Sequence, residues 1–193
     1  MVEKDRFKEN PYDLKYCTFL GKGNNGEVYL LPNGNLIKIF FITTDFVGEY
    51  SILERVNGNK YFPKIYEIGS NYMVRECAQG ELLSNYILNH GMSNKLAHNI
   101  IEMLKEFIKL KFIKVDLRCR DIIVQPDGNL KVIDPKKFYT KYRNFPRHLS
   151  KGLYRLGVLD SFLNILNTED PKLYKRWYSQ INDYINFNYN LKS

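Results

Sequence analysis

Short runs of apolar residues alternating with polar ones fill residues 17–41 and predict three strands, at 17–20, 27–31 and 36–40. Pro32-Asn33-Gly34-Asn35 joins the second to the third, and Asn-Gly is a strong hairpin-turn signal. From about 45 to 56 the period becomes helical, with Phe46, Tyr50, Leu53 and Val56 on one face. A further strand pair is expected at 63–68 and 72–76, around Gly69-Ser70-Asn71. The pattern beyond is mainly helical. Ser93 suits the N-cap of a long helix on which Leu96, Ile100, Leu104, Phe107 and Ile108 recur at helical spacing. A short strand pair follows at 122–124 and 130–133, turned by Pro126-Asp127-Gly128. Two more helices are expected after a basic segment, the last capped by Asp170 with Pro171 as its first residue. Its stripe of Leu173, Trp177, Ile181 and Ile185 reads as core. A strand-rich stretch of about 75 residues before a helical remainder implies an α+β fold.

Composition narrows this only at the edges. The 193 residues suffice for one domain, or one domain folded as two lobes, with a core that needs no staples. A hydrophobic fraction of 44% and a charged fraction of 26% argue against a disordered chain, a coiled coil or a fibre. No apolar run approaches the roughly 18 residues of a membrane span. The start, Met1-Val2-Glu3-Lys4-Asp5-Arg6, lacks an apolar leader. Cys17, Cys77 and Cys119 are odd in number and widely spaced, as expected of reduced thiols in a cytoplasm. The net charge of +8 leaves several partners open: nucleic acid, an anionic surface, an acidic protein or phosphate-bearing ligands.

Three blocks carry chemistry. Leu20-Gly21-Lys22-Gly23-Asn24-Asn25-Gly26-Glu27-Val28 places glycines where a strand–turn–strand can bring backbone amides close to phosphate oxygens. A strand follows, not a helix, so this is not a dinucleotide fingerprint. Next, Lys38 stands between apolar neighbours in Leu36-Ile37-Lys38-Ile39-Phe40, with Glu49 as the helix carboxylate to orient it and Glu54 as competitor. The third block runs from Lys114 through Asp116, Arg118, Arg120 and Asp121 to Asp134, as loop, strand, tight turn, strand and carboxylate. Asp116, Asp121 and Asp134 are expected on one side of the strand pair, where three carboxylates call for a cation such as Mg²⁺.

Together these blocks, over about residues 17–135, resemble the protein-kinase-like superfamily. The reduced helical part looks like its minimal, atypical bacterial branch, similar to small kinases of the Rio and Bud32 type. The resemblance implies a bilobal fold, with a five-stranded antiparallel N-lobe carrying one helix at 17–76, a hinge at 77–80 and a helical C-lobe at 81–193, all within one domain. It implies ATP and Mg²⁺ as cofactors. Gly21, Lys22, Gly23, Gly26 and Val28 would cover the phosphates, Lys38 would hold them with Glu49 behind it, and Glu76 and Ala78 would offer backbone groups to adenine. Asp116 would accept the acceptor's proton, and Asp121 and Asp134 would hold the metal. Arg118 stands where serine/threonine kinases carry a phosphate-contacting Lys, and Arg120 where tyrosine kinases carry an Arg.

The chain also departs from that pattern. Lys114-Val115 replaces His-Arg, Asp121 replaces Asn, and Asp134-Pro135-Lys136 replaces Asp-Phe-Gly. Leu36 replaces a small residue, Arg75 sits at the gatekeeper position, and no Ala-Pro-Glu motif follows Asp134. Two readings from different classes result: a phosphotransferase acting on Ser or Thr hydroxyls of a protein, or a pseudokinase that binds nucleotide or acts as a scaffold. A small-molecule kinase and a tyrosine acceptor stay open, whereas nucleic acid lacks a recognised module. His90, His98 and His148 show no ligand spacing and read as surface or packing residues. Much of the excess charge lies in Lys136, Lys137, Lys141, Arg143, Arg147, Lys151 and Arg155, either a solvated face or a docking strip for an acidic partner.

Overall fold

The computed structural model describes residues 11–135 and 137–189. It is an α+β protein whose contacts divide it into two compact units, Met1–Ala78 and Gln79–Ser193.

The first unit holds β1 (Thr18–Gly23), β2 (Gly26–Leu30), β3 (Leu36–Phe40), α1 (Thr43–Arg55), β4 (Ile65–Ile68) and β5 (Tyr72–Arg75). The strands form one antiparallel sheet in the order β1-β2-β3-β5-β4. β1 runs further than the hydrophobic pattern indicates, through the glycine block, so that Gly23 pairs with Gly26 across a turn at Asn24-Asn25. Side chains alternate faces along a strand, and that period sorts β3. Ile37 packs with Leu31, Tyr72 and Val74 on one side. Lys38 and Phe40 turn to the other, where Phe40 meets Phe46 of α1 edge-on at 5.4 Å. β5 is in register with β3, Met73 opposite Lys38 and Arg75 opposite Leu36, which puts Arg75 on the α1 side.

The second unit holds β6 (Glu81–Leu82), α2 (Leu83–His90), α3 (Asn94–Lys109), a 3₁₀ turn (Cys119–Asp121), β7 (Ile122–Val124), β8 (Leu130–Val132), α4 (Arg147–Arg155), α5 (Leu159–Glu169) and α6 (Pro171–Tyr189). Strands β6, β7 and β8 make a small antiparallel sheet. Ser93 caps α3 by accepting from the Leu96 amide at 3.1 Å, and Asp170 caps α6 from Leu173 at 2.9 Å. Leu96, Ile100, Leu104 and Phe107 are buried as the spacing predicts, whereas Ile108 is 38% exposed. The α6 stripe is buried throughout, and the indole of Trp177 donates to the Asn144 carbonyl at 2.8 Å.

Two sequence expectations need correction. The two helices expected after the basic segment are α5 and α6, but the pattern missed α4, which lies within that segment, and β6 with α2, which precede α3. The physical reasons are local weakness and remote capping. α2 has eight residues and no side-chain N-cap, and its only strong signal is Gly91 at its C-terminus, where φ is +72°. α4 has nine residues and follows Pro146, with no capping side chain nearby in sequence. No helix among the described residues is long and apolar enough to cross a membrane.

Candidate functional site

In the first unit the glycine block is a tight hairpin. A Cβ on Gly21 or Gly23 would meet nothing within 4 Å, so their backbone faces open space. Gly26 is required by packing: a Cβ there would fall 2.0 Å from the Ile39 carbonyl oxygen. Lys22 is paired across the hairpin with Glu27 at 3.0 Å, and Val28 lies opposite Lys38 in the ladder.

The strongest feature of this unit is a buried ion cluster. Lys38 Nζ meets Glu49 Oε2 at 2.5 Å, with side-chain exposures of 9% and 3%. Glu49, not Glu54, is therefore the partner, because the helical period puts Glu49 on the buried face of α1. Glu54 accepts instead from the Tyr50 hydroxyl on the exposed side. Arg75 joins the cluster, its Nη1 lying 3.5 Å from Glu49 Oε1. Sequence reading placed Arg75 at the gatekeeper position and missed this role; the signal was its strand register, two residues beyond the position opposite Lys38. Lys38 and Arg75 both contact Glu49, and the Nε and Nη1 of Arg75 and the Oε1 of Glu49 find no hydrogen-bond partner. A buried guanidinium whose N–H groups lack acceptors is costly, and an anion brought to Arg75 would supply them. The donor set thus fits phosphate. The Glu76 amide is bonded to the Lys64 carbonyl at 2.8 Å, and Ala78 is the last residue of the unit.

In the second unit Asp116 is fully buried. Its Oδ1 accepts from the His148 backbone amide at 2.7 Å, its Oδ2 lies 2.6 Å from His148 Nδ1, and Arg147 Nε is 3.6 Å away. His148 is therefore not an ordinary packing residue, which corrects the sequence expectation. The grouping of three carboxylates also needs correction, since both oxygens of Asp116 are engaged by α4. Among the described residues no three His, Cys, Asp or Glu side chains form a metal-binding group.

Asp121 and Asp134 remain as a pair. Asp121 Oδ2 accepts from the Arg118 amide at 3.0 Å, and the Asp121 carbonyl accepts from the Ile133 amide at 2.9 Å, which ties the 3₁₀ turn to the end of β8. Burial raises the Asp121 carboxyl above its ordinary value, and the charge of Asp134 adds to the rise. Two carboxylates fit Mg²⁺, which keeps several waters and takes its remaining oxygens from phosphate. Burial also lowers the Lys114 ammonium, which lies 5.2 Å from the Phe138 ring. Arg118 and Arg120 are exposed. The members of the basic segment are not placed alike: Arg147 turns to Asp116, Lys137 and Lys141 are exposed, and Lys136 lies outside the described residues.

No protein-family model matches the chain. It is 28% identical over 140 residues to a protein of Bacillus subtilis (strain 168) named "Putative serine/threonine-protein kinase YrzF". The match does not favour the Rio and Bud32 type, and the chain spans 64% of that relative's length while 69% of the chain is matched.

Proposed function

We propose that the chain is a Mg²⁺–ATP-dependent phosphotransferase of the protein-kinase type, acting on Ser or Thr hydroxyls of a protein. The observation that carries this reading is the buried Lys38–Glu49 pair with Arg75 beside it, whose Nε and Nη1 lack a hydrogen-bond acceptor that a phosphate would supply. The kinase-like relative supports it independently. In this reading Lys38, oriented by Glu49, holds phosphate oxygens, and the open backbone of Gly21 and Gly23 covers them. Glu76 and Ala78 offer backbone groups to adenine. Asp121 and Asp134 hold Mg²⁺, which when bound neutralises charge developing on the transferred group. Arg118 and Arg120 neutralise charge beside them. Asp116 takes the proton of the acceptor hydroxyl.

A second reading, nucleotide binding without transfer, is favoured by one observation: Asp116 is fully buried with both oxygens bonded to His148. A base must be within hydrogen-bond reach of the proton that it takes, so transfer requires His148 to release Asp116. Incubation of the protein with γ-labelled Mg²⁺–ATP, alone and with casein, separates the two. A phosphotransferase labels itself or casein, and Asp116→Asn lowers the rate by about 10²-fold or more. Nucleotide binding with no labelling selects the second reading. Labelling that survives both Asp116→Asn and Lys38→Ala contradicts the first.

A further inference from the structure

A cavity of about 480 Å³ opens within the second unit between the 3₁₀ turn and α4. Its charged lining comprises Arg118, Arg120, Lys151 and Arg155, with His148 and without a carboxylate. Among the described residues no ion pair joins any of these four cations to an Asp or Glu, although the nearby Asp121 carboxylate acts electrostatically on Arg118 and Arg120. Behind them stands an aromatic ring: Arg155 Nε donates to the Tyr189 hydroxyl at 2.5 Å, and Lys151 Nζ lies 5.6 Å from the same ring.

The cavity is built by packing. A Cβ on Gly152 would sit 2.5 Å from Cys119 Sγ, so glycine lets α4 close against the turn. That closure places Arg118, just before the turn, and Arg120, within it, on one wall and Lys151 and Arg155 of α4 on the other. Four like charges around one space repel each other, and a compact, multiply charged anion relieves the repulsion. A phosphomonoester dianion suits best, because guanidinium groups bond two phosphoryl oxygens at once while lysine adds a point charge. No Phe, Tyr or Trp lines the cavity, so a single-stranded nucleic acid would lack its stacking platforms.

We infer that this cavity binds a phosphomonoester dianion carried by the acceptor. His148 supplies the link, since it lines the cavity and is bonded to Asp116. The anion site stands by itself, whereas its assignment to the acceptor rests on the phosphotransferase reading.

Calorimetric titration of the full chain tests it, using a phosphoserine peptide, the same peptide with serine, O-phospho-L-serine and a single-stranded oligonucleotide. The phosphopeptide is expected to bind about tenfold or more tightly than its serine form, as for charge-assisted hydrogen bonds. Lys151→Ala with Arg155→Ala, and separately Lys151→Gln, should erase that margin at an unchanged unfolding temperature. Equal binding of O-phospho-L-serine and the phosphopeptide supports the cavity with a small phosphorylated molecule as its source. No preference for the phosphorylated peptide, or tighter binding of the oligonucleotide, overturns the proposal. Phosphopeptide binding without γ-phosphate transfer keeps the cavity and rejects the phosphotransferase; transfer without phosphopeptide preference does the opposite.

Discussion

Glu49 is the residue on which the first unit's charge balance turns. It contacts both Lys38 and Arg75, so its removal takes a carboxylate away from two buried cations. Breaking a buried pair in this way costs about 3 kcal/mol or more. Urea unfolding of Glu49→Gln should show that loss. Replacing the whole cluster, with Lys38→Met, Glu49→Leu and Arg75→Met together, should recover most of it, because a well-packed apolar set avoids the desolvation. Equal stability of wild type and Glu49→Gln would remove the buried cluster from the description. The Lys38–Glu49 pair was legible in the sequence, since a lysine between apolar strand residues and a carboxylate on the apolar face of the next helix constrain each other. Arg75 was not, because its direction depends on which strands pair and in what register.

At the scale of elements, α4 shows why local pattern can fail. Its N-terminal amide at His148 is capped by Asp116, 32 residues earlier. The residue read as a candidate base is therefore also a helix cap supplied from a distance, a role that no window of sequence contains. Asp116→Ala should destabilise the chain by about 1–2 kcal/mol, the usual worth of a cap. Asp116→Asn, which keeps an accepting oxygen, should lose less, and chemical denaturation of the two variants distinguishes them. α3 and α6 were readable because their caps, Ser93 and Asp170, adjoin their own stripes.

β4 and β5 offer a second element-scale test. Glu67 accepts from the hydroxyls of Tyr12 and Tyr72, both at 2.7 Å, and ties the segment before β1 to the sheet. Burial and the Glu67 carboxylate raise the Tyr12 phenol to about 12 from its ordinary 10, and raise Tyr72 also. A raised folded-state value means that this stabilisation is complete below about pH 10 and fades as pH climbs towards 12. Thermal unfolding should therefore fall across that window, and the fall should be shallower in Tyr12→Phe.

Over the whole molecule, the +8 charge by itself left nucleic acid, an anionic surface, an acidic protein and phosphate-bearing ligands open. The structure redistributes it: Lys38 and Arg75 lie buried against Glu49, Arg147 turns to Asp116, and four cations gather around one cavity. What sequence could not give was this sorting, because a run of basic residues reads alike whether its members point to solvent, to a carboxylate or into a pocket. The α+β class and all five strands of the first sheet were legible from periodicity and turn residues. The surroundings of Asp116 were not legible, since its burial against His148 is a tertiary event. The central claim is that the Lys38–Glu49–Arg75 cluster exists to receive the phosphates of a nucleotide. Calorimetric titration of Mg²⁺–ATP into the full chain tests it most directly. Saturable binding that Lys38→Ala weakens by about tenfold or more, as expected for loss of a charge-assisted contact, is the outcome this function requires. Absence of binding to the wild-type protein, or binding indifferent to Lys38→Ala, would contradict it.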